Sequence, residues 1–123
     1  LVRQFRYPTG RWLWELVAGT MQAGETARQA ARRELLEETG YRARVLKPLF
    51  SHFPSPGFLN ERMILVEARG LTLERAQPEA DERIRVGLFR RADLRRMLGA
   101  RKIEDGKTLL GIYWLLAPRR LRM

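Results

Sequence analysis

Apolar and polar positions alternate along Leu1-Val2-Arg3-Gln4-Phe5-Arg6-Tyr7, the period of a strand, and the run ends in a Pro8-Thr9-Gly10 turn. Trp12 to Val17 reads as a second strand, closed by Ala18-Gly19. A helix follows: Thr26 with Gln29 three residues on matches a capping box, and Gly40 supplies the stop. Arg44 to Phe53 and Arg62 to Ala68 read as strands around a Ser55-Pro56-Gly57 loop, and Ile84 to Phe89 as another. Ala92 to Leu98 and Thr108 to Ala117 read as helices, the latter with Leu109, Ile112, Tyr113 and Leu116 as an apolar stripe. Strands and helices in this order predict an α/β (α+β) sandwich, with residues 1–123 as one domain.

Composition narrows the setting. Apolar residues make up 45% of the 123, enough to build a core rather than stay disordered. Cysteine is absent, which removes disulfides and thiolate metal sites and fits a reducing cytoplasm, the expected location. No run approaches the roughly 20 apolar residues of a membrane span, and no signal-peptide pattern is seen, so no membrane partner is expected. The net charge of +10 is carried almost wholly by arginine, since the only lysines are Lys47, Lys102 and Lys107. Such a surface attracts anions, and it leaves nucleic-acid binding open. The basic residues do not gather with interleaved aromatics, which favours scattered solvated arginines over an RNA-binding pattern. A phosphate-rich small substrate suits the same charge.

The segment from Gly19 to Tyr41 carries the chemistry. At 100° per residue, Ala27, Ala30, Ala31, Glu34, Glu37 and Glu38 share a sector of about 120° on the helix. Its first turns are alanine, which allows close packing, and its last turns are carboxylates. Three like charges so spaced repel unless a cation compensates them, and hard oxygen donors suit Mg²⁺ or Mn²⁺. The plain alternative is a solvated acidic face balanced by Arg32 and Arg33, with Arg33 and Glu37 as an i,i+4 pair.

The spacing weighs against that alternative. Gly19, Glu25 after five residues, and after seven more Arg33-Glu34-Leu35-Leu36-Glu37-Glu38-Thr39-Gly40-Tyr41 resemble the Nudix box, residues 19–41 here, at every fixed position. The resemblance is to the Nudix hydrolase superfamily and implies its fold, a mixed β-sheet flanked by helices. It implies that Glu34 and Glu38 are metal ligands, with Glu37 a ligand or close to one and also a catalytic candidate. Arg33 would orient the glutamates, Ala18 would offer its carbonyl to the metal, Gly19 would permit the turn, and Glu25 would support the loop or an additional metal. Metal bridging two phosphates neutralises charge and lowers the pKa of an attacking water.

The flanks are similar to the ADP-ribose pyrophosphatase branch. Gln4-Phe5-Arg6, Leu13-Trp14-Glu15-Leu16-Val17-Ala18-Gly19 and Ser55-Pro56-Gly57, whose Pro56 lies 16 residues beyond Gly40, carry that likeness. Lys102 to Thr108 resembles the start of the branch's closing helix. The implied reaction is ADP-ribose plus water giving AMP and ribose 5-phosphate. Arg6, Pro56, Gly57 and Glu61 would then contact substrate, and a homodimer is expected. Singly, Arg6 reads equally as an outward strand residue and Pro56-Gly57 as a turn. Trp12 and Trp14 could stack on a base, but core packing of the inward one accounts for it. His52, beside Phe53 at a strand end, reads as packed or surface.

Two departures qualify the resemblance. The branch's acidic loop commonly holds two glutamates one residue apart, one of them the proposed general base. Here Pro78-Glu79-Ala80-Asp81-Glu82 keeps Glu82 but puts Ala80 at the other place, so Glu82, Glu79 or a metal-activated water remain as the base. The chain also begins inside the region that usually precedes the Gln-x-Arg strand. N-terminal strands of the fold are therefore expected to be missing, outside this numbering or replaced by another chain's cover of the sheet edge. Hydrolysis of another nucleoside diphosphate derivative, such as a nucleotide sugar or dinucleotide, is a same-class rival. A non-catalytic Nudix domain that binds such ligands or RNA is the rival from a different class.

Overall fold

The computed structural model describes residues 1–75 and 84–122. Its elements are β1 (Val2–Arg6), β2 (Arg11–Glu15), α1 (Ala27–Thr39), β3 (Tyr41–His52) and β4 (Met63–Leu73). After these come β5 (Ile84–Val86), α2 (Arg91–Gly99), α3 (Gly106–Leu116) and a short 3₁₀ turn, Arg119–Leu121. Every described strand pair is antiparallel: β2-β1-β5 form one sheet and β3-β4 another. The expected combination of sheet and helices is met. The chain comprises two compact units, Leu1–Leu16 with Glu82–Met123, and Val17–Asp81.

The first unit grows from the β1-β2 hairpin. Its four-residue turn closes because Gly10 adopts φ 66° and donates to the carbonyl of Arg6 at 2.9 Å. Pairing sets Arg3 opposite Trp14 and Phe5 opposite Trp12, so one sheet face is aromatic and cationic. Trp14 packs edge-on to Phe89 with ring centroids 5.0 Å apart. It joins a core of Leu94, Ile103 and Ile112. Trp12 lies on the same face but is 43% exposed, so only one of the two tryptophans is a core residue. In α3 the buried side is Ile112 with Leu109 and Leu116 packed beside it, whereas Tyr113, expected in that stripe, is 60% exposed. The helix starts two residues earlier than the apolar pattern suggests, because the Asp105 carboxylate caps the N–H of Thr108 at 3.1 Å.

In the second unit α1 packs on the β3-β4 ribbon. Ala30, Ala43 and Leu46 are buried there, and the small alanine side chain permits the close approach. Both strands extend beyond their apolar patterns, β3 back to Tyr41 and β4 forward to Leu73, because the ladder Tyr41↔Leu73 to His52↔Met63 recruits polar residues. The register shifts between Pro48 and Phe50, where proline lacks the N–H a ladder needs. His52 is half-buried with its ring centroid 6.3 Å from that of Phe50.

Candidate functional site

Helix α1 is fixed at both ends by local chemistry. Thr26 Oγ1 accepts from the Gln29 N–H at 3.2 Å and Gln29 Oε1 accepts from the Thr26 N–H at 2.8 Å, a complete capping box. Gly40 ends the helix at φ 76°, its N–H reaching the Leu36 carbonyl at 2.9 Å. A side chain there would also stand 2.4 Å from the Arg75 carbonyl oxygen.

Arg33 is the hub of this helix. Its Nε and Nη2 fork onto the two oxygens of Glu25, each at 2.9 Å. Its Nη1 donates to Glu34 Oε1 at 2.6 Å and reaches Glu37 Oε2 at 3.4 Å, and its Nη2 also donates to the Thr20 carbonyl at 3.1 Å. One planar cation thus ties the loop before the helix to two carboxylates on it, which a lysine ammonium could not do in one geometry. The bonds from Arg33, and then the Gln22 N–H, pull the Glu25 carboxyl down to about 2. The bonds of Glu25 and Glu34 in turn raise Arg33 above its ordinary value. Glu25 closes its own loop as well, accepting from the Gln22 N–H at 2.7 Å.

Gly19 lies directly against this cluster. A Cβ on it would stand 2.1 Å from both Cδ and Oε1 of Glu34. The missing side chain therefore makes room for the Glu34 carboxylate against the loop that contains Ala18. Only 17% of the Glu34 side chain is exposed, against 53% for Glu37. Glu38 is half-buried one position further along.

Several expected site residues share this unit: Ala18, Arg33, Glu34, Glu37 and Glu38 on the loop and helix, with Pro56, Gly57 and Glu61 exposed on the loop between β3 and β4. Arg6 belongs to the other unit, where its guanidinium forks onto Glu15 at 2.8 and 2.9 Å. Glu82 and Glu79 lie outside the described residues. Among the described residues no three carboxylates or imidazoles converge as a ready cation cage. The donor set nevertheless fits a hard divalent ion in kind: carboxylate oxygens on one helix face, with the cradle at Gly19 occupied by one of them.

One polar cluster was not legible in the sequence. Glu15, only 2% exposed, accepts from Arg6 and, at 2.7 Å, from the Lys107 ammonium, which also binds Asp105 at 2.9 Å. Thr108 donates to Asp105 at 2.6 Å and accepts from the Leu16 N–H at 2.8 Å, tying the end of β2 to the start of α3. Burial alone would raise the Glu15 carboxyl, but the bonds and charges of Arg6 and Lys107 outweigh it and leave it below the ordinary value. Glu15 and Lys107 are 92 positions apart, and no local pattern marks such a pair.

Comparison with known proteins places these features in a family. The family model for the NUDIX domain matches residues 1–109. An ADP-ribose pyrophosphatase of Bacillus subtilis (strain 168) is 34% identical over 99% of this chain, which spans 67% of that protein. An ADP-ribose pyrophosphatase of Escherichia coli (strain K12) is 33% identical over 94% of the chain, spanning 59% of its length. A methanol dehydrogenase activator of Bacillus methanolicus is 32% identical over 99% of the chain and 67% of its own length. A crystal structure of an ADP compounds hydrolase superposes with a TM-score of 0.80 at 22% identity, covering 91% of this chain and 60% of that one. The chain therefore spans about two thirds or less of each of these proteins.

Proposed function

The chain belongs to the NUDIX domain family of hydrolases, on its ADP-ribose pyrophosphatase-like branch, and we propose that it hydrolyses ADP-ribose to AMP and ribose 5-phosphate with Mg²⁺. The observation that carries this reading is the Arg33 fork, which gathers Glu25, Glu34 and Glu37 beside the bare backbone of Gly19.

In this proposal Glu34, Glu37, Glu38 and the Ala18 carbonyl hold the divalent ion. When bound, that ion neutralises phosphate charge and makes water more acidic. Arg33 keeps Glu34 in place, and Glu25 holds Arg33. The attacking water gives its proton to Glu82 or Glu79, or is made acidic enough by the ion alone. Glu37, with its half-exposed carboxylate and long 3.4 Å contact with Arg33, is the catalytic candidate on the helix itself. Arg6 contacts phosphate or ribose, and Pro56, Gly57 and Glu61 line the substrate side. The same proposal has residues 1–123 act as one domain, with the protein a cytoplasmic homodimer. Among the described residues no helix is long and apolar enough to cross a membrane.

The test is AMP release from ADP-ribose with Mg²⁺ or EDTA, beside a panel of nucleotide sugars and dinucleotides. Metal-dependent release favouring ADP-ribose supports the proposal, and preference for another panel member keeps the chemistry and discards the substrate. Glu38→Gln is expected to remove most turnover while the protein stays folded by circular dichroism. A fully active Glu38→Gln protein would refute its role as a ligand.

A further inference from the structure

The unit formed by Leu1–Leu16 and Glu82–Met123 contains a cleft of about 630 Å³, within the size range of small-molecule sites. Its lining includes Arg3, Arg11, Trp12, Arg101, Lys102 and Glu104. Four of these are cations. Glu104, the single carboxylate among the described lining residues, is already held by Arg11 Nη1 at 2.7 and 3.0 Å. Arg3 places its guanidinium 5.7 Å from the centroid of the Trp12 ring, a cation–aromatic stack beside the cleft. Charge and a flat aromatic surface thus meet in one place, the combination that takes a phosphate together with a base.

Arg101 supplies the second observation. Helix α2 ends in a Schellman motif, with Lys102 N–H bonded to the Met97 carbonyl at 2.9 Å and Arg101 N–H to that of Leu98 at 3.1 Å. The residue between must be left-handed, and this is where glycine is favoured. Here it is Arg101, at φ 55°, the only non-glycine residue with positive φ among those described. The backbone angle itself favours glycine, because the strain falls on the Cβ that glycine lacks, and the attraction of a cation to the last helical carbonyls offsets only part of that strain. What the arginine adds is a cation in the lining of the cleft.

We propose that this cleft binds a nucleoside monophosphate. The phosphate is taken by Arg101, Lys102 and Arg3, and the base completes the stack begun by Arg3 and Trp12. None of these residues belongs to the glutamate-bearing helix or its loop, and the proposal does not rest on the hydrolytic reading.

The test is titration of the metal-free protein, in EDTA, with AMP, adenosine and ribose 5-phosphate, followed by calorimetry and tryptophan fluorescence. AMP is expected to bind at least 10-fold more tightly than adenosine or ribose 5-phosphate, since each of those offers only half of the contacts. Arg101→Gly is the decisive variant because it relieves the backbone while removing the charge. Its melting temperature is expected to rise by a few degrees, while AMP affinity falls 10-fold or more and ADP-ribose turnover is unchanged. Trp12→Leu is expected to weaken AMP and leave ribose 5-phosphate unaffected. Unchanged AMP binding in Arg101→Gly overturns the proposal, as does loss of AMP binding in Glu38→Gln, which would put the nucleotide on the glutamate helix. Tight binding of a ten-nucleotide RNA without binding of AMP also overturns it, in favour of a nucleic-acid surface.

Discussion

Gly19→Ala is the smallest change that tests whether the position of the Glu34 carboxylate matters. The new methyl would stand 2.1 Å from Glu34 Cδ and Oε1 and 2.6 Å from Cγ. Ordinary contact begins near 3.4 Å, so the carboxylate must retreat by about 1.3 Å, the difference between 3.4 and 2.1. It can do so because it is the end of a flexible side chain, and the retreat removes the 2.6 Å bond from Arg33. Folding is therefore expected to change little, by under about 1 kcal/mol. Turnover should suffer more, since misplacing a positioned group by about 1 Å costs on the order of 100-fold. That corresponds to about 2.7 kcal/mol of activation free energy. The assay is kcat and KM of metal-dependent hydrolysis, with urea unfolding measured on the same preparations. Glu34→Ala removes every Glu34 atom that the new methyl would meet, so adding Gly19→Ala to it should cost much less than Gly19→Ala costs alone. Retention of more than a third of wild-type kcat in Gly19→Ala, or simple additivity in the pair, would refute the reasoning.

Two other glycines separate backbone angle from crowding. Gly24→Ala, at φ 80° with nothing within 4 Å, should cost about 1 kcal/mol from the left-handed angle alone. Gly40→Ala adds a 2.4 Å overlap with the Arg75 carbonyl oxygen and should cost about 3 kcal/mol or more in urea unfolding. The carboxyls of Glu25 and Glu15 both lie below their ordinary values in the folded chain. Their contributions to stability are thus complete above the ordinary carboxylate range and are lost as pH falls, for Glu25 down to about 2. Carbon-13 carboxyl NMR should show Glu25 titrating near 2, and moving up toward the ordinary range in Arg33→Lys, which keeps the charge but not the fork. Glu15→Gln leaves Lys107, with 14% of its side chain exposed, short of one carboxylate. It should lower stability by about 2–3 kcal/mol by chemical unfolding, and a neutral result would mean the ion cluster is dispensable.

The parts of the molecule legible in the sequence are those whose causes are local. Thr26, Gln29 and Gly40 mark the ends of α1 because capping is decided within four residues, and the structure forms the capping box and the left-handed stop. The Arg33–Glu37 pair is likewise a matter of i,i+4 spacing, and it forms, whereas the shorter Arg33–Glu34 bond joins adjacent positions that helical spacing alone does not bring together. The lengths of β3 and β4 were not legible, because a strand's extent is set by its partner. Tyr41 is a strand residue only because it faces Leu73. Tyr113 fitted the apolar spacing of α3 and still faces outward, since periodicity places a residue near a face without saying how far the neighbouring core extends.

The least legible features are those in which ordinary local patterns meet across long sequence distances. Glu15 looks like any strand glutamate until Lys107 reaches it, and the two are brought together only when α3 docks beside β2. Arg101 looks like one more arginine in an arginine-rich chain until its backbone angle is known. The same limit applies to the overall charge of +10, which as a sum points only to anions. Placement gives that charge meaning: Arg33 spends its donors on Glu25, Glu34 and Glu37, Arg6 is engaged by Glu15, and Arg3, Arg101 and Lys102 line a cleft in which Glu104, the one carboxylate among the described lining residues, is already paired. Arginines that are equivalent in composition therefore divide into those that hold the molecule's own carboxylates in position and those left to face a ligand's phosphate.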